Sequence, residues 1–170
     1  MKIRRIGIPV LVFLFAATAY GQTKISGSLH CAKGDPTYSV KPTDHAGHML
    51  VLAQLSCNWA NASAIGGVVE TTNTSWTSSD VRGNSAHVSG YADGSDGAGN
   101  DSYAKFSGRQ TLKGGALVRE SGTWTYTGGS GKLKNLQGHG TYSCKGAADG
   151  SSADCSVSGV YTIGTAAAKP

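Results

Sequence analysis

From residue 23 onward, apolar and polar positions alternate along the chain with the period of two that belongs to extended backbone. Ile25, Gly27, Leu29 and Cys31 face one way, and Lys24, Ser26, Ser28 and His30 the other. Residues 49–59 are ambiguous at first, because Met-Leu-Val-Leu-Ala-Gln-Leu could form a short helix capped by Thr43 or Asp44. The set Leu55, Cys57 and Trp59 carries the alternation past the point where a helical stripe would end, so this segment too is read as a strand. Similar patterns predict strands near residues 65–72, 86–91, 102–112, 116–126, 138–145 and 155–163, about eight in all. Residues 32–47, punctuated by Gly34, Pro36, Pro42 and Gly47, read as a long loop.

The connections are glycine-rich. Residues 93–100 and Lys113-Gly114-Gly115 both carry hairpin signals, which makes consecutive strands antiparallel neighbours. No helical spacing of apolar residues is sustained in this part, which excludes the crossover helices a parallel sheet requires. The expected fold class is all-β, a closed antiparallel barrel of about eight strands, since closure removes unpaired edges. A two-sheet sandwich is the rival arrangement. Residues 22–170 form one domain without internal repeat or linker, ending in a frayed 165–170 tail.

The first residues change the picture of charge and location. Lys2, Arg4 and Arg5 precede an apolar run from Ile6 to Ala17 and the small-x-small triplet Ala17-Thr18-Ala19, so residues 1–21 read as a cleaved signal peptide. The apolar run is too short for a membrane span. The mature protein is expected to be secreted or periplasmic. The formal charge of +5 shrinks on cleavage to twelve basic against ten acidic residues. No basic run interleaved with aromatics remains, which argues against a nucleic-acid partner.

Four cysteines follow the leader, an even count that suits two disulfides in an exported chain. Cys144 shares a face with Tyr142, and Cys155 with Val157, Tyr161 and Ile163, so a hairpin would bring the two sulfurs together. The expected pairing is therefore Cys31 with Cys57 and Cys144 with Cys155. The absence of any Cys-x-x-Cys spacing weighs against a redox or metal role.

Thr123, Thr125 and Thr127 alternate with Gly122, Trp124 and Tyr126, and then Gly128-Gly129-Ser130-Gly131-Lys132-Leu133 leads into Gly138-His139-Gly140-Thr141-Tyr142. A phosphate-cradling glycine loop would need a helix behind it, whereas here another strand follows. This turn and strand resemble the Gly-Gly-Thr-Gly-Lys-Phe turn of the allene oxide cyclase-like barrel family, and dirigent proteins look similar at the same place. Small exported bacterial members of uncharacterised function are similar in the order of leader, Trp-containing strand and glycine segment. The likeness is most specific over residues 122–142, with Ser130 and Leu133 as mild departures. It implies an eight-stranded barrel whose apolar cavity orients a reactive guest, as in a cyclase or isomerase that works by substrate positioning. It also implies trimers, but no catalytic residue carries over.

Several residues could carry chemistry. Glu120 shares an alternation class with Val118, Gly122, Trp124 and Tyr126 and would face the interior as an acid or base, unless that face lies outside. Trp59, Trp76, Trp124, Tyr91, Tyr126 and Tyr142 could line a pocket for a flat or lipid-like guest or simply fill a core. Arg109, with Lys105 and Tyr103, could clamp an anionic head group or sit on a solvated outer face. His45 and His48, beside Asp44 and with His30 brought near through Cys31, form a weak metal-like cluster in a loop. Residues 97–101 echo a single calcium-binding nonapeptide, a motif that needs stacked copies, and read as a hairpin loop. No cofactor fingerprint is present. The expected function is binding of a small apolar or amphipathic molecule, with a cyclase or a surface interaction protein lacking a cavity as alternatives.

Overall fold

The computed structural model describes residues 21–164; the predicted leader and the 165–170 tail fall outside the described residues. The strands are β1 (Thr23–Ala32), β2 (Thr37–Val40), β3 (His48–Ala62), β4 (Thr72–Arg82), β5 (Ser85–Ser95), β6 (Asp101–Lys113), β7 (Ala116–Gly129), β8 (Leu136–Gly146) and β9 (Ser152–Ile163). All pair antiparallel in the order β1-β9-β8-β7-β6-β5-β4-β3, and β3 pairs back onto β1 to close an eight-stranded barrel. β2 is a ninth, short strand. It takes over the edge of β3 at Leu50 to Ala53, below the stretch from Cys57 to Ala62 that β1 occupies. No helix among the described residues is long and apolar enough to cross a membrane.

Both predicted disulfides form, Cys31–Cys57 between β1 and β3 and Cys144–Cys155 between β8 and β9. Each joins residues directly opposite in register, and together they staple a four-stranded wall, β3-β1-β9-β8. On the chain-entropy model each such link adds about 2–4 kcal/mol. Two disulfides suit an oxidising compartment.

Two expected features moved. The segment 65–72 is no strand: Ile65 and Val68 form an isolated bridge in a turn, and the true strand is β4, which the pattern missed. β4 runs Thr-Asn-Thr-Ser-Trp-Thr-Ser-Ser-Asp-Val-Arg, so its inward residues are mostly hydroxyls and it lacks the apolar beat that marks its neighbours. β2 was read as loop for a similar reason, since all four of its residues are exposed.

The 63–71 turn closes one end of the barrel. Ile65 and Val68 pack with Ile25, Trp124, Leu133, Leu136 and Tyr161 into the main apolar cluster, and the Tyr161 hydroxyl accepts a 3.0 Å hydrogen bond from the Gly66 amide. Leu133 belongs to a three-residue 3-10 helix, Gly131–Leu133, and is fully buried. Its glycine-rich approach docks on the β5–β6 hairpin: Ser130 Oγ donates to Gly99 O at 2.8 Å, and the Lys132 amide donates to Asn100 Oδ1 at 2.9 Å. Gly131 has a φ of +52°, and a Cβ there would strike Asn100. In the same hairpin Asp96 accepts the Ala98 and Asn100 amides at 2.7 and 3.2 Å, an Asx-type loop in which the carboxylate serves its own backbone. A second apolar cluster, Val81, Ala86 and Leu112, lies where β4 ends, β5 begins and β6 ends.

Large aromatic rings fit inside because glycines face them. Gly140 and Gly159 are cross-strand partners, and a Cβ on either would come within 2.6 Å of the Trp124 ring. Gly108 and Gly122 make the same kind of floor for Tyr142, whose hydroxyl would lie 2.5 Å from a Cβ at Gly108. Removing side chains from the wall thus makes room for rings that contribute roughly 1.5–3 kcal/mol each by burial.

Candidate functional site

Inside the barrel lies a cavity of about 160 Å³. Its wall is largely apolar: Leu29, Trp59, Phe106, Leu117, Trp124, Tyr126, Tyr142 and Val157, with both disulfides, while Asn73, Ser75 and Thr77 of β4 make a polar strip. Phe106 meets Tyr142 edge to face at 5.8 Å between centroids, and Trp124 leans on Tyr126 at 4.8 Å. Trp59, Trp124, Tyr126 and Tyr142 therefore face inward.

Glu120 also faces the cavity and is buried. Its Oε1 accepts the Tyr142 hydroxyl at 2.7 Å and its Oε2 accepts Gln110 Nε2 at 2.8 Å, so both oxygens are engaged by the protein itself. Burial first, and then the neighbouring Glu120 carboxylate, push the Tyr142 phenol well above its ordinary value. Tyr126 is raised in the same way, by burial and then by the charge of Glu70. Val118 departs from Glu120's class. A β-bulge pairs Thr111 with Arg119 and Leu112 with Leu117, which leaves Val118 exposed and turns Leu117 inward.

Tyr91 and Arg109 are on the outside, a correction to their expected place in a ligand site. Tyr91 is 64% exposed and pairs across strands with Trp76, itself outward; Arg109 is exposed opposite His87 and Ser121. The physical reason is the strict inward-outward alternation of β5 and β6: Ala92 and Ala104 take the inner positions, and their neighbours Tyr91 and Lys105 must turn to solvent.

The histidine cluster is broken up by carboxylates. His48 is buried, with Nδ1 hydrogen-bonded to Asp44 at 2.5 Å and Nε2 3.1 Å from Asp80 but out of hydrogen-bond geometry, so the ring lies between the 41–47 loop and β4. Asp80 is drawn in turn to Arg82, whose Nε lies 3.2 Å away, and its carboxyl is held below the ordinary value mainly by that contact. His45 lies 3.7 Å from Asp44, and His30 is engaged elsewhere, 2.7 Å from Asp154. Among the described residues no three His, Cys, Asp or Glu side chains converge as a metal site would require.

Sequence reasoning missed Glu70. It hangs from the 63–71 turn into the cavity, 3% exposed, and Gly94 leaves the space its carboxyl occupies. Neither Glu70 Oε1 nor the indole Nε1 of Trp59, both buried, has a hydrogen-bond partner among the described residues. Burial raises the Glu70 carboxyl above its ordinary value; the Ser102 hydroxyl and the Trp59 N–H, close enough to favour the charged form although neither meets Oε1 in hydrogen-bond geometry, oppose the rise, and the charges of Asp101 and Asp96 add to it. One signal could have exposed it: Glu70 is the only charged residue between His48 and Asp80.

The architecture has a solved counterpart. The pterocarpan synthase dirigent protein GePTS1 superposes with a TM-score of 0.52 over 92% of this chain and the whole of that one. Sequence identity is 9%, so the likeness is one of fold. No family model matches the sequence, and no curated protein matches it.

Proposed function

We propose that this is an exported barrel that holds a compact, mostly apolar molecule in its lumen. The observation that carries the reading is the aromatic-walled cavity, with a few inward polar groups to orient what enters. Its volume of about 160 Å³ sets the size of the guest. An apolar cavity of about 150 Å³ takes up benzene, and drug-sized pockets start near 300 Å³. A molecule of one ring is therefore favoured over a long acyl chain. Export rests on the leader-like residues 1–21 and on the two disulfides.

Native mass spectrometry and thermal-shift measurements on the purified, oxidised protein test the reading. A one-ring hydrocarbon such as ethylbenzene raises the melting temperature and palmitate does not. No response to any small apolar molecule ends the proposal.

A catalytic variant of the same reading, a cyclase or isomerase as in dirigent-type barrels, is supported by a specific feature. Glu70 is a buried carboxyl with a raised pKa and a free oxygen, a better-placed proton donor than Glu120, whose oxygens are already taken. Turnover that survives Glu120→Gln and fails in Glu70→Gln is the expected signature.

A further inference from the structure

The two orphan polar atoms of the lumen are complementary. Glu70 Oε1 is an acceptor, Trp59 Nε1–H is a donor, and both border the same cavity, near one another but without a partner in hydrogen-bond geometry among the described residues. A buried polar group left unpaired loses the hydrogen bonds it would make to water and gains none in return. Two of them bordering one largely apolar cavity are costly unless something completes them.

Their positions are held firmly. The Trp59 amide bonds Thr71 O at 3.0 Å and the Thr71 amide bonds Ser95 O at 2.8 Å, which pins the segment carrying Glu70 between β3 and β5. The Trp59 ring itself lies against Gly27 of β1. Neither group can easily turn away to water.

We infer that Glu70 and Trp59 form a hydroxyl-reading subsite, so that the guest is a neutral one-ring alcohol whose single OH donates to Glu70 and accepts from Trp59. The inference rests on the lumen-binding reading and adds to it the polarity and orientation of the guest. Chemistry decides among head groups. A hydroxyl offers one donor and two acceptor lone pairs, which matches the pair. An ammonium has no acceptor for the indole N–H, and a carboxylate has no donor for Glu70 and would set like charges together in a buried site. Glu120 and Tyr142 are a weaker place for the OH, since each Glu120 oxygen already accepts a hydrogen bond.

Calorimetric titration of the oxidised protein with benzyl alcohol and with ethylbenzene, which differ by OH against CH₃, tests this. The wild type binds benzyl alcohol at least tenfold more tightly than ethylbenzene, and benzylamine and benzoate more weakly than either. Trp59→Phe, which keeps a ring and removes the N–H, and Glu70→Leu, which removes the buried carboxyl, each abolish most of that preference, read as the ratio of the two affinities within each variant. The Trp59 indole proton shifts downfield in the NMR spectrum on adding benzyl alcohol but not ethylbenzene. Equal binding of the two probes by the wild type overturns the subsite and leaves the lumen reading standing. Binding of neither defeats the lumen reading itself. A preference that survives both substitutions and disappears in Tyr142→Phe moves the hydroxyl to Glu120 and overturns the assignment.

Discussion

The hydroxyl of Tyr142, on β8, donates a 2.7 Å hydrogen bond to Oε1 of Glu120, on β7, inside the barrel. The pair completes a chain from Gln110 through Glu120 to Tyr142 that crosses three adjacent strands of the lumen wall. Tyr142→Phe keeps the ring and withdraws the donor, leaving the buried carboxylate with Gln110 alone. We expect a loss of about 1–3 kcal/mol, which at this chain length lowers the melting temperature by about 2–4 °C per kcal/mol. An unchanged melting temperature in a calorimetric scan would show that the bond contributes nothing to stability.

The raised Tyr142 and Tyr126 phenols set an alkaline limit. Both are held neutral in the fold, whereas in the unfolded chain they ionise near pH ~10. Stability is complete below that value and falls as pH rises above it, because only the unfolded state releases these protons. An ultraviolet titration should show two tyrosines that ionise only on unfolding.

Glu70 gives the acid-side counterpart with the opposite consequence from an ion-paired carboxylate. Its folded pKa is raised, so between the unfolded value of about 4.5 and the folded one the native state binds the extra proton. Stability is greatest below that window and declines as pH rises through it. Glu70→Gln removes this dependence and makes the protein more stable at neutral pH. Urea midpoints measured from pH 4 to 8 that decline equally in both proteins would refute the assignment.

The glycine floors are predicted to be strict. In Gly140→Ala the new methyl group meets the Trp124 ring at 2.6 Å as well as the Ser158 carbonyl. Overpacking of this kind costs about 1–3 kcal/mol or more. Gly164→Ala, whose new Cβ meets nothing closer than 3.7 Å, is the neutral control. Comparable urea midpoints for the two would mean that Trp124 has room to move.

Guest entry should be visible in tryptophan fluorescence. Trp59 and Trp124 line the cavity, while Trp76 stands outside at 44% exposure. Iodide is expected to quench one tryptophan of the three, and Trp76→Phe to abolish that fraction. Emission changes on adding ethylbenzene should persist in Trp76→Phe. Their disappearance would place the binding site on the outer face.

Legibility in the sequence tracked the strength of alternation. β1, β3, β8 and β9 each carry a cysteine in an alternating series, and both disulfides could be read from it. β4 could not, because a barrel wall lined by Asn73, Ser75 and Thr77 has no apolar period. Among the candidate residues, parity grouped Glu120, Trp124 and Tyr126 on one face of β7, and the structure turned that face, with Trp59 and Tyr142, inward. It left Tyr91 and Arg109 outside, since parity says which residues share a face but leaves open which face is inside.

The sequence by itself determined an antiparallel β meander with two disulfides and the glycine corner at residues 128–131, because period-two patterning, cysteine parity and turn chemistry are local properties of the chain, whereas closure into a barrel rather than a sandwich came from β3 pairing back onto β1. Only the tertiary structure decided what the lumen contains. Closure swung the 63–71 turn under the barrel and carried Glu70, a residue with no strand pattern to announce it, into the cavity beside Trp59. A bulge near Leu117 reversed Val118 and aimed Leu117 inward. Such outcomes depend on how strands far apart in sequence meet, and a one-dimensional pattern does not encode that meeting.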